Sequence, residues 1–163
     1  MKKTFLMSAL FMILNFSVAN AEADWVWIYS NDQYSIWVDN NSISRGGKYL
    51  DYDFKAVIKK TYNDYGKEKT IELFVASAKN NGLPISYLPK EIYKLSYVIS
   101  QEYFKSVNGI KYISTIDGTY YTDDNQEISA ISYHYDKLNW HQLKPDTIGE
   151  ETYDAVYARV SGK

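Results

Sequence analysis

The sequence predicts an α+β fold: an antiparallel meander of about six β-strands with a C-terminal α-helix packed on one face, preceded by a cleavable signal peptide. Three observations carry this. Leu50, Tyr52, Phe54, Ala56 and Ile58 alternate with Asp51, Asp53, Lys55 and Lys59, the period of two of a strand with one dry face and one wet. Asn108-Gly109 is the dipeptide of tight hairpins, and β-forming residues flank it on both sides. Tyr153, Val156, Tyr157 and Val160 fall at i, i+3, i+4 and i+7, one stripe of a helix.

Composition narrows the class. A chain of 163 residues, 45% of it hydrophobic, is one domain with enough apolar matter for a packed core. Its 17 tyrosines suit the flat packing of a sheet. The absence of cysteine removes disulfides, thiolate metal sites, thiol catalysis and thiol-anchored lipids. A net charge of −2, with Arg45 and Arg159 as the only arginines, argues against a dedicated nucleic-acid binder.

Taken in order, Lys2 and Lys3 followed by the apolar run 5–18 and Ala19-Asn20-Ala21 have the layout of a signal peptide cut between Ala21 and Glu22. A second frame, Ala21-Glu22-Ala23, would cut two residues later. The apolar run is short of the roughly 20 residues that span a bilayer, and no later segment reaches that length. One domain, 22–163, remains. Residues 25–29 and 34–38, joined by Ser30-Asn31-Asp32, read as a hairpin. The alternating run of 50–59 follows, and Asn63-Asp64-Tyr65-Gly66 reads as a turn into a strand over 70–78, where Ile71, Leu73 and Val75 alternate. Pro84 and Pro89 mark an irregular connection, with a helical turn beginning at Pro89-Lys90-Glu91. Strands are expected over 94–104 (Leu95, Tyr97, Ile99 and Tyr103 on one parity), over 110–116, briefly at Tyr120-Tyr121 and over 127–135. Thr147 with Glu150 three residues on fits a capping box for the final helix.

The chemistry-bearing patterns are mostly missing. His134 and His141 have no metal-ligand or catalytic spacing. Asp123-Asp124-Asn125-Gln126-Glu127 lacks the glycine and the bidentate glutamate of a calcium loop and reads as a polar turn. No nucleophile motif or phosphate loop occurs. The expectation is therefore a non-enzymatic protein without cofactor or metal. Two features could carry binding. Lys59, Lys60, Lys67 and Lys69 flank the expected hairpin and could meet an acidic glycan or protein surface; the plainer reading is a lysine-blunted strand edge. Trp25 and Trp27 stand on a strand whose two parities are both apolar, so it is either covered twice or presents an aromatic strip. Most of these rings are expected in the core.

The order of elements resembles the surface-adhesin protein E-like domain family. The resemblance rests on Ala23-Asp24-Trp25 after the signal peptide and on Tyr34 to Ile43. It rests also on Trp140 followed by Pro145-Asp146-Thr147-Ile148-Gly149-Glu150, Tyr153 and Ala155-Val156. It covers about 24–160 and implies an antiparallel sheet with a C-terminal helix in an exported bacterial protein. In some members that protein is a surface adhesin for host matrix proteins such as vitronectin and laminin. The cysteine with which the family ties helix to sheet corresponds to Tyr157, so packing by Tyr157 is expected to replace the staple, and Tyr157→Ala to cost roughly 3–5 kcal/mol. An adhesive module at the cell surface is one functional expectation. The alternative is a periplasmic envelope domain holding a small apolar ligand between sheet and helix, or a partner envelope protein.

Overall fold

Among the described residues eight strands, all antiparallel to their neighbours, build one sheet, and two α-helices lie against it. The computed structural model describes residues 22–162; the expected signal peptide, 1–21, and its cut after Ala21 lie outside them. β1 (Trp25–Ser30), β2 (Tyr34–Asp39), β4 (Phe54–Tyr62), β5 (Leu95–Val107), β6 (Ile110–Thr122) and β7 (Tyr133–His134) are hydrogen-bonded in that spatial order. Two short pieces, β3 (Ser44–Arg45) and β8 (His141–Gln142), pair with β4 and β6. The hairpin expected at the N-terminus is present, with a bulge between Trp27 and Tyr29. Asn108 and Gly109 both take positive φ in the β5–β6 turn, as that tight connection demands.

Four elements differ from expectation. Residues 70–78 belong to a helix, α1 (Asp64–Asn80), so the hairpin supposed to carry the lysines does not exist. Asn63 is not a turn residue but the N-cap, its side-chain oxygen accepting from the Gly66 N–H at 2.8 Å. That cap starts a run of good helix formers, and the alternation of Ile71, Leu73 and Val75 is incidental. The inward stripe is Gly66, Thr70, Phe74 and Ala78, each four residues from the last. Gly66 and Ala78 are buried, and Phe74 meets the Tyr120 ring edge-on at 5.3 Å. A Cβ on Gly66 would overlap the Gln33 carbonyl, so only glycine lets the helix start so close to the β1–β2 turn.

No break separates 110–116 from Tyr120-Tyr121: β6 runs on through Asp117-Gly118 to Thr122, with a bulge at Ile116 where its register against β5 shifts. Most of 127–135 is irregular, leaving only the two residues of β7. The parity of β5 is the reverse of that expected beyond Leu95. Val98, Ser100 and Phe104 are the buried set, while Tyr97, Ile99 and Tyr103 face the other way.

The dry face explains the helices. Ile36, Val38, Phe54, Ala56, Ile58 and Phe104 form its core, with Phe54 stacked on Phe104 at 5.0 Å. The C-terminal helix α2 (Ile148–Ser161) lays Tyr153, Val156 and Val160 on this cluster. Thr147 caps it by accepting from the Glu150 N–H. Tyr157, placed on the buried stripe by the sequence, is 52% exposed. It sits at the stripe's rim, its ring 6.0 Å from that of Phe54, because the stripe turns toward Thr152, which is buried instead. Among the described residues no helix is long and apolar enough to cross a membrane. With no cysteine, there is also no thiol for a lipid anchor.

Candidate functional site

Both helices lie on the same face of the sheet, so the opposite face has no helical cover among the described residues. Strand alternation assigns its occupants. Trp27 stands opposite Trp37, Trp37 opposite Lys59, Thr61 opposite Tyr97, Tyr97 opposite Tyr121, and Lys55 opposite Tyr103. The rings interlock with the amines. Lys59 Nζ sits 4.3 Å from the Tyr97 ring centre and 5.6 Å from that of Trp25. Tyr97 stacks on Tyr121 at 4.8 Å, and Lys55 lies 5.9 Å from the Tyr103 ring. The Trp37 indole N–H donates to Thr61 Oγ1 at 3.4 Å. Trp25, Trp37, Lys59 and Thr61 surround a shallow hollow of about 240 Å³.

Charge is unevenly distributed over this face. Near one end Lys105 pairs with Asp51 at 2.9 Å and sits 4.1 Å from the Trp140 ring centre. The Trp140 indole N–H donates to the same Asp51 carboxylate at 3.0 Å. Those two bonds hold the Asp51 carboxyl below its ordinary range. Lys55 and Lys59 have no such partner: among the described residues neither makes an ion pair. They offer positive charge over aromatic faces with no carboxylate at ion-pair distance, and the carboxylates that share this face, Asp39 opposite Trp25 and Asp117 opposite Gln101, stand in the row between them.

The residues singled out in the sequence are dispersed. Lys59 is on the uncovered face, but Lys60, its chain neighbour, is on the helical face, 4.8 Å from the Tyr34 ring centre. Burial there pushes its amine below the usual lysine range. Lys67 and Lys69 stand on α1, beside Asp64 at 3.8 Å and Glu72 at 2.8 Å. The four lysines therefore form no single patch, because adjacent strand residues point to opposite faces and the hairpin meant to join them is a helix. Trp25 is half-buried, and Trp27, 54% exposed, donates from its indole to Ser30. The Glu22 carbonyl accepts from the Asn41 side chain at 3.1 Å. Pro145 precedes the helix cap and is exposed. Glu150 reaches back to the Asp146 N–H at 3.0 Å rather than to Thr147, and pairs with Lys111 at 2.8 Å.

Sequence reasoning overlooked Tyr97, Tyr103 and Tyr121 as members of an open surface and gave Lys55 no role beyond solvated charge. The signal was present in β5, where Val98, Ser100 and Phe104 make the smaller and drier set, but Glu102 interrupts that set and hides it. Glu102 itself was missed. It lies on the helical face opposite Thr115, accepts from Ser100 Oγ at 2.7 Å and Thr115 Oγ1 at 3.0 Å, and burial raises its carboxyl above the ordinary range. His134, on β7, contacts Asp117 Oδ1, and that carboxylate raises its imidazole. Among the described residues no cluster of histidine and acidic side chains could hold a metal ion. No protein-family model, curated protein or solved structure matches the chain.

Proposed function

We propose that the chain is a non-enzymatic binding module, exported by its N-terminal segment, that holds an acidic partner protein against the uncovered face of its sheet. One observation carries the reading: Lys55 and Lys59 are held over aromatic rings on the sheet face that no described helix covers, and neither makes an ion pair among the described residues. Aromatic side chains supply contact area at low conformational cost, and unpaired lysines supply complementarity to an acidic surface. The alternative, an apolar ligand between sheet and helix, is disfavoured by the packing, since Tyr153, Val156 and Val160 of α2 fill that space against Phe54 and Phe104.

The resemblance to adhesin E-like domains makes vitronectin and laminin the first partners to test. The measurement is binding of the chain to each immobilised protein across a salt series, beside a Lys55→Glu/Lys59→Glu variant. The expected result is affinity that falls with ionic strength and drops at least ~10-fold in the variant, as lost charge complementarity requires. Equal binding by the variant, or none at low salt, overturns the reading for these partners.

A further inference from the structure

A second site stands at the other edge of the sheet, on the helical face. β7 pairs with Asp117 and Gly118, and β8 with Tyr112 and Ile113. Between them the chain bows away from β6 and leaves a notch of about 630 Å³ over Thr115, within the range of about 300–1,000 Å³ typical of small-molecule sites. Its wall is pinned rather than loose. The Tyr135 N–H donates to the Ile116 carbonyl at 2.9 Å and the Asn139 N–H to Ser114 Oγ at 2.8 Å. Ser114 is itself wholly buried.

Two rings line the notch, those of Tyr133 and Tyr135, 5.2 Å apart and tilted by 41°. Tyr133 lies flat against the backbone of β6 because position 118 is glycine; a Cβ there would run into the ring. Around the rings are Asn139, His141 and one charge of each sign, Asp136 and Lys137. The lining as a whole therefore favours neither anion nor cation. The floor is more specific. The Thr115 hydroxyl spends its proton on Glu102 Oε2, so toward the notch it can only accept. What it asks for is a hydrogen-bond donor, which a hydroxyl supplies without adding charge.

We propose that this notch binds a neutral saccharide unit, its ring stacked on the exposed Tyr135 and one hydroxyl donating to Thr115 Oγ1. Flat apolar faces with hydroxyls at the rim are what a pyranose offers and what paired tyrosines, an amide and an acceptor floor can match. Glu102 is a positioning residue: its carboxylate fixes the direction of the Thr115 hydroxyl from behind.

The test is a titration of the full chain with glucose, galactose and N-acetylglucosamine to about 20 mM, above the millimolar Kd of weak small ligands. Backbone amide shifts are read by two-dimensional NMR, with benzyl alcohol as a ring-bearing comparison. Saturable shifts confined to Thr115, Tyr133, Tyr135 and Asn139 are expected for at least one sugar. They should vanish in Tyr135→Ala, whose parent side chain is 56% exposed and so not needed for folding. They should survive Thr115→Ser and weaken at least ~10-fold in Thr115→Val, since a site built for a hydroxyl rejects its loss. The proposal is overturned if no sugar shifts these amides, if Tyr135→Ala binds equally, or if benzyl alcohol binds as well as the sugars. Sugar binding should not change with salt, so it stands or falls separately from the acidic partner on the opposite face.

Discussion

The two faces of this sheet are built from the same strands and differ in what covers them. On one face Val38, Ala56, Phe104 and Val156 are wholly out of water, and two helices close over a core that stacks Phe54 on Phe104. On the other, tyrosines, tryptophans and lysines of comparable bulk stay half-exposed and meet through ring and amine contacts. A ring's location thus says little until its cover is known: Tyr153 is 5% exposed, while Tyr157 on the next part of the same helix is 52% exposed. The covered face supplies the hydrophobic stabilisation, leaving the uncovered one freer to vary.

That contrast can be broken by mutation. The largest effect is expected for Phe104→Ala, which should destabilise by about 3–5 kcal/mol in denaturant unfolding, the usual cost of emptying a buried aromatic site. A loss under ~1 kcal/mol would mean that the helical face is not the main core. Tyr153→Ala should approach that cost. Tyr157→Ala should fall well below the value expected from the sequence, near 1 kcal/mol or less, because half of its ring already meets water. If the two tyrosine variants proved equally destabilised, the distinction between stripe and rim would be lost. Next comes Asn63→Ala, at about 1 kcal/mol for removal of a helix cap, seen as a lower melting temperature.

Glu102→Gln sharpens the comparison through pH. The folded chain holds this carboxyl above its ordinary value of 4.5, chiefly through burial. The stability linked to it is therefore full below that pH and is lost as pH rises through the folded-state value. Glutamine does not titrate, so Glu102→Gln should gain on the native chain as unfolding curves are moved from acid to neutral pH. A difference constant with pH would show that Glu102 suffers no burial penalty. The smallest effect belongs to the open face: Lys55→Ala and Lys59→Ala should change stability by no more than ~0.5 kcal/mol. A larger loss in the same unfolding assay would make these lysines structural rather than available for binding.

Much of this was legible along the chain, and the failures have specific causes. The alternation Phe54, Ala56, Ile58 revealed the covered parity of β4 because each is apolar while Lys55 and Lys59 on the other parity are charged, Val57 being the exception. In β5 the same test misled, since Tyr97, Ile99 and Tyr103 are as apolar as the buried set and Glu102 stands among the buried positions. Helix α1 reads as a strand because Ile71, Leu73 and Val75 alternate over a short stretch, although in the helix Leu73 is exposed and none of the three lies on the inward stripe. The cap at Asn63 was the deciding signal, and it is shared with turns. Of the open face only Trp25, Trp27 and Lys59 were legible, as it joins residues from 25 to 121 through pairing registers.

By itself, then, the sequence determined the all-antiparallel pairing, the terminal helix with its Thr147 cap, and the absence of any thiol chemistry. These follow from local periodicity, turn dipeptides and composition, which act over a few residues. Only the tertiary structure decided which face the helices would cover, that Lys59 and Lys60 would part company, and that Thr115 would floor a notch braced by Glu102. Those outcomes depend on strand order and register, and hydrogen bonds between distant segments set both.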